Sequence, residues 1–189
     1  MDLTEIRDRV MRRTRDMRPR PSVEEVDDAI NSAQRGLIQP VARIRGIEEF
    51  TFPFAEGEIP LEDIAEDIYR IDFFMDPTSG AKYGILNEDE AGLGIRIGDG
   101  RVWVKGVRPG RKVLVYYQKA LPELGTGPDQ VRAPVIPAIY HDIYWLGALD
   151  ELKPGSVPRL NDRLRRFERE RRNAGRYYGP RVHVRRIWR

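Results

Sequence analysis

The hydrophobic period changes twice along the chain, and this limits its fold more than any other feature. Near the N-terminus Leu3, Ile6, Val10, Thr14 and Met17 recur at spacings of three and four, as do Val23, Val26, Ile30, Ala33 and Leu37. Such spacing lines one face of a helix. Asp2 with Glu5, and Ser22 with Glu25, have the spacing of capping boxes, in which each side chain satisfies a backbone N–H at the helix start. Arg18-Pro19-Arg20-Pro21 separates the two helices, because proline disfavours helical geometry at the residue before it. Pro40 is expected to kink or stop the second helix, with a turn resuming near Val41 and Ile44.

The middle of the chain alternates instead. Phe50, Phe52 and Phe54 fall on one side of an extended segment, and Ile68 to Phe74 reads as another strand. Leu93–Ile97 and Arg101–Lys105 flank Gly98-Asp99-Gly100, a short hairpin signal. Arg111–Lys119, with Val113, Val115 and Tyr117 on one face, follows the Pro109-Gly110 turn and completes one antiparallel sheet. Leu61–Glu66 and Asn87–Glu90 read as acidic loops.

Helical spacing then returns. Pro134 and Pro137 precede a stripe of Ile139, Ile143, Leu146, Leu149 and Leu152, which ends at Lys153-Pro154-Gly155. A last helix opens near Ser156 and Pro158, turns Leu160, Leu164 and Phe167 inward, and has Gly175 as its expected C-cap. No internal repeat is present. Helices segregated from a run of strands give an α+β class. The expected arrangement is a helical bundle of two N-terminal and two C-terminal helices, as one domain over 1–175 with a β-rich insertion at about 48–119. An extended basic arm follows at 176–189.

Charge is distributed unevenly. Between Arg159 and Arg189 stand 12 arginines and 3 acids, whereas the rest of the chain holds 21 basic and 27 acidic side chains. A mildly acidic body thus carries a basic C-terminal segment, a pattern of interaction tails for nucleic acid or acidic protein surfaces. Arginine outnumbers lysine 28 to 5. Guanidinium suits bidentate contacts with carboxylate or phosphate, although a GC-rich genome or a hot habitat gives the same bias. No run of apolar residues is long enough for a membrane span or a signal-peptide core, so a soluble protein made in the cytoplasm is expected.

Catalytic chemistry finds little support. The absence of cysteine removes disulfides, thiolate nucleophiles and Cys-ligated zinc together. The two histidines, His141 and His183, lie in different regions. His141-Asp142 on a helix points in two directions about 100° apart, so a helix-surface or interface histidine is the expectation. The acids near Asp63 and Asp89 lack the spacing of a calcium loop. Gly92, Gly94, Gly98 and Gly100 are not followed by the Lys-Ser or Lys-Thr of a phosphate-binding loop. Serine is scarce, and no Gly-x-Ser-x-Gly is present. No catalytic residue, metal ligand or cofactor site is assigned, and a non-enzymatic protein is expected.

The C-terminal segment is the one constellation singled out. On the last helix Arg159, Arg163, Arg165, Arg166, Arg169 and Arg172 surround the seam of Leu160, Leu164 and Phe167, where a solvated basic face explains some of them. Beyond it, Arg176, Tyr177, Tyr178, Arg181, Val182, Val184, Arg185, Arg186, Ile187 and Trp188 combine guanidinium with apolar groups. Such a segment is too apolar for a freely disordered end. Val182 and Val184 alternate with Arg181, His183 and Arg185, so the stretch can add to a sheet edge or lie in a partner's groove. Packing of this tail on its own domain, or a nucleic-acid contact, stays open beside the docking reading.

Five segments, taken in order, resemble a known family. They are Leu3–Val10, Val26–Arg35, Ile68–Asp72, Leu114–Tyr117 and Ile136–Leu149, the last containing Pro137-Ala138-Ile139-Tyr140-His141-Asp142. The order is similar to that of tailed-phage head-to-tail adaptors, also called connector or head-completion proteins. The resemblance implies a bundle with a β insertion that forms a homo-oligomeric, dodecameric ring beneath the portal protein. Such a ring sits in the virion neck, extends the channel for genomic DNA without reading its sequence, and offers a platform for tail or neck proteins. The arm at 176–189 would then dock on the portal. The rival expectations are a nucleic-acid-binding module built on the basic helix and tail, or another tail or neck component.

Overall fold

The computed structural model describes residues 1–83, 85–86 and 94–177, with side chains through 173. The chain is α+β, with helices at both ends and two antiparallel sheets between them. It divides into two compact units, one formed by Met1–Ala42 with the residues from Leu121 onward, the other by Arg43–Ala120.

In the helical unit, α1 (Leu3–Arg13) and α2 (Val23–Ala33) both begin with closed capping boxes. Asp2 accepts from Glu5 N at 2.9 Å, and Ser22 accepts from Glu25 N at 3.1 Å, while each glutamate accepts from the cap's own N–H. Arg7 crosses to Asp27 through a two-pronged contact at 2.8 and 2.6 Å that ties the helices together. Pro40 does not stop the second helix. A π-helical turn over Gln34–Ile38 leads into α3 (Gln39–Ala42). The wider turn accommodates a residue with no N–H to donate. Val23, expected inward, is 50% exposed.

Three side-chain amides on this helical run hold the returning chain. Asn31 donates to Leu124 O at 3.0 Å and accepts from Leu124 N at 2.9 Å. Gln34 donates to Pro122 O at 3.0 Å, and Gln39 accepts from Leu121 N at 2.6 Å. Residues 121–124 thereby receive from side chains the hydrogen bonds that a neighbouring strand would supply. Further on, α4 (Asp142–Leu152) is preceded by a 3-10 turn over Ala138–Tyr140, which turns Tyr140 inward and leaves Ile139 60% exposed. Ile139 therefore falls outside the apolar stripe expected for it. Gly147 sits where an added Cβ would lie 2.7 Å from the Cβ of Ala33, so its missing side chain sets how closely α4 approaches α2. The last helix, α5 (Leu160–Tyr177), runs through Gly175, which does not act as a C-cap. A glycine inside a helix costs only about 1 kcal/mol and does not force a stop.

The β unit holds two sheets where one was expected. β1 (Arg45–Thr51), β3 (Ile68–Met75), β4 (Lys82–Tyr83) and β7 (Lys112–Lys119) pair in the order β1-β7-β3-β4. β2 (Glu56–Pro60), β5 (Gly94–Gly98) and β6 (Arg101–Lys105) pair in the order β2-β6-β5. One core fills the unit, with Phe74 and Val115 from the first sheet and Phe52 just after β1 joining Ile59, Ile95 and Val102 from the second. The Phe50–Phe54 alternation is not a single strand. Pro53 supplies no N–H to a ladder, β1 ends at Thr51, and Phe52 turns fully into the core. The β5–β6 hairpin turns at Asp99 and Gly100, both at positive φ (46° and 72°), as a two-residue primed turn requires. Leu93 and Asn87–Glu90, expected as strand and acidic loop, lie outside the described residues. Leu61–Asp63 forms a 3-10 turn.

Asp76 is buried, accepts from the N–H groups of Thr78 and Ser79, and pairs with the Arg111 guanidinium. That guanidinium, more than the backbone donors, lowers its pKa from the ordinary 3.8 to about 2. The stabilisation is therefore present above 3.8 and is lost as the pH falls through about 2. Asp76→Asn should flatten the acid limb of a urea-unfolding series across that window and leave its neutral-to-alkaline shape unchanged. In the helical unit, Asn31→Leu removes both partners of Leu124 while keeping the volume. It should cost on the order of 2 kcal/mol in denaturant unfolding, with little change in slope.

Candidate functional site

Most of the basic surface on α5 is already engaged within the helical unit. Arg163 grips Asp142 with two contacts at 2.7 Å and donates to Ile139 O at 2.8 Å. Arg171 donates to Ala42 O at 2.8 Å, covering a carbonyl at the end of α3. Arg166 pairs with Glu170, and Arg172 with Glu168, along the helix itself. These guanidinium groups tie α5 to its neighbours and to its own acids. The solvated or structural explanation thus accounts for much of the helix.

Of the docking candidates, Arg176 and Tyr177 lie in the last turn of α5. Tyr178, Arg181, Val182, Val184, Arg185, Arg186, Ile187 and Trp188 lie outside the described residues.

His141 is neither a surface residue nor half of a pair with Asp142. It is buried, with Nε2 2.8 Å from Ile136 O and Nδ1 3.1 Å from Met1 O. Asp142 is turned to Arg163. The neighbouring Tyr144 is fully buried, its hydroxyl has no hydrogen-bond partner among the described residues, and burial pushes its pKa above the usual phenol range. No group of three or more histidine, aspartate or glutamate side chains among the described residues is placed to hold a metal ion. Among the same residues, no helix is long and apolar enough to cross a membrane.

A surface that the sequence did not reveal lies where the end of α1 meets α4 and the turn into α5. A cleft of about 490 Å³ opens there, floored by Met17, Trp145, Leu146 and Leu149. Arg13, Lys153 and Arg159 stand around it, and no carboxylate among the described residues lines it. Arg9 and Arg12 join Arg13 beside Trp145 in an adjoining hollow. The Arg13 guanidinium lies 5.3 Å from the Trp145 ring centre, within cation–π range. The indole Nε1–H of Trp145 is buried, with no hydrogen-bond partner among the described residues. The far wall is fixed by hydrogen bonds, since Lys153 N donates to Leu149 O at 2.9 Å and Gly155 N to Asp150 Oδ1 at 3.0 Å. Arg9 and Arg13 are one helical turn apart beside the Ile6–Val10 stripe, and that spacing was the available signal. Without the position of Trp145, the two resemble ordinary basic residues at a helix C-terminus.

The β unit carries a second exposed feature. Ile47, Tyr116 and Phe73 are cross-strand neighbours over β1, β7 and β3. Two register shifts in β3 bring Phe73 opposite Tyr116, where the rings stack at 4.4 Å, and Lys82 lies 4.1 Å from the Phe73 ring centre. Ile47 is 51% exposed at the end of this row. No protein-family model matches the chain, and no curated protein matches it.

The buried Tyr144 hydroxyl gives a test of this packing. Tyr144→Phe removes an unpaired polar group without opening a cavity. It should leave thermal stability unchanged or raise it by about 1 kcal/mol, read from calorimetric melting.

Proposed function

We propose that this chain is a non-enzymatic assembly protein of the head-to-tail adaptor type, a ring component of the neck of a tailed-phage virion. In this reading the finer fold is a helical bundle carrying a β insertion, with the basic arm at 176–189 docking on the portal. Copies contact one another head to tail, and such a contact makes a closed ring when its rotation closes. The acidic body faces the genomic DNA in transit, and the opposite end receives tail or neck proteins.

The observation that carries the proposal is the division of chemistry along the chain. Arginine is concentrated from Arg159 onward and is joined by aromatic groups from Tyr177, whereas acids outnumber bases over the rest of the chain. The row of Ile47, Tyr116 and Phe73 supports it, because an exposed isoleucine beside two half-buried aromatic rings suits contact with another protein. Weak docking by one arm becomes tight when a ring presents many arms together. The alternative of a nucleic-acid-binding helix loses force from the carboxylate and carbonyl partners of Arg163, Arg166, Arg171 and Arg172.

Co-expression with the portal protein of the same virus, followed by imaging of purified particles, tests the proposal. The expected result is a dodecameric ring seated on the portal, and a chain ending at Gly175 should fail to be captured. Portal capture that is unchanged by this truncation would remove the arm from the proposal. Salt-sensitive binding to duplex DNA with no portal capture at all would replace the adaptor reading with the nucleic-acid one.

A further inference from the structure

We propose that the cleft between α1, α4 and the turn into α5 binds an acidic peptide that inserts one aliphatic or aromatic side chain. This goes beyond the adaptor reading, which assigns nothing to this surface.

The floor supplies the apolar half of the site. Leu146 and Leu149 are buried beneath it, and Met17 and Trp145 are partly covered. The volume of about 490 Å³ is within the range of small-ligand sites and takes one large side chain with its flanking backbone. The surroundings supply the charged half. Arg9, Arg12, Arg13, Lys153 and Arg159 are all exposed, and no carboxylate is paired with them among the described residues. Arg9 stands three and four residues before Arg12 and Arg13, spacings at which like charges on a helix repel. An anionic ligand relieves that repulsion.

A phosphate backbone would satisfy the same cations. However, nucleic-acid bases require an open aromatic face for stacking. Here Arg13 occupies a face of Trp145, and the remaining floor is aliphatic or thioether. A peptide therefore fits the site better than an oligonucleotide.

Fluorescence polarisation with the full chain tests this. The probe is a fluorescein-labelled Asp-Asp-Leu-Glu-Asp peptide, and the comparisons are the same peptide with Leu replaced by Ser, its Asn/Gln counterpart without charge, and a single-stranded oligonucleotide of similar length. Saturable binding of the probe is expected, weakened about tenfold by Arg13→Glu and by loss of the leucine. Lys153→Glu, on an exposed side chain outside the helix interior, should weaken it in the same direction and guards against misfolding of the first variant. The proposal is overturned if the probe does not bind, if its serine version binds equally well, if the oligonucleotide binds more tightly, or if both charge reversals leave affinity unchanged.

Discussion

The helical unit depends on three amides placed where a helix would ordinarily carry apolar side chains. Asn31, Gln34 and Gln39 meet the backbone of residues 121–124, a segment that belongs to neither sheet and has a single bridge, from Leu124 to Val131, among the described residues. Gln34 and Gln39 are themselves buried, so their polar atoms must be satisfied and leave little choice of register for the incoming chain. The chain leaves this unit after Ala42 and rejoins it at Leu121, so Gln39 fastens the return close to the point of departure. Apolar packing alone would hold that segment near the helices, but it would not fix its position along them.

Local signals in the sequence were legible because each is decided within a few residues. Asp2 with Glu5, Ser22 with Glu25, and Asp99 with Gly100 need no distant partner to explain them, and each forms the feature its spacing implies. The division of strands into two sheets was not legible. β2 has the sequence Glu-Gly-Glu-Ile-Pro, with only Ile59 buried, and its membership is settled by pairing with β6 forty residues on. The register shifts in β3 were hidden for a related reason. Alternation assigns each residue a face, but an inserted residue reverses that assignment for everything beyond it. Pro40 shows a third limit, since the sequence predicts that the helix is disturbed without saying that a π turn absorbs the disturbance.

For the candidate site, composition revealed where arginine is abundant but not which guanidinium groups are committed. Arg163 and Arg9 are indistinguishable as residue types. One is held by Asp142, a residue 21 positions away, whereas the other stands on an exposed helix face. That difference arises from packing across α4 and α5, which helical periodicity alone does not specify. Packing of α1 on α4 likewise places Trp145 beside Arg13, more than a hundred residues earlier in the chain, and so makes a cleft from residues that share no motif.

The two functional ideas make different physical demands on the chain. An arm that docks on a larger assembly gains strength from repetition, so its individual contacts can be weak. The cleft has a preformed apolar floor and a wall fixed by the Lys153 and Gly155 hydrogen bonds, so less ordering accompanies binding. Its exposed cations speed encounter with an acidic partner, while the buried floor governs how long that partner remains. A chain carrying both can be recruited by many weak contacts and can select one partner by a single shaped one. In such an arrangement charge brings components together, and the side chain that fits over Trp145 decides which of them stays.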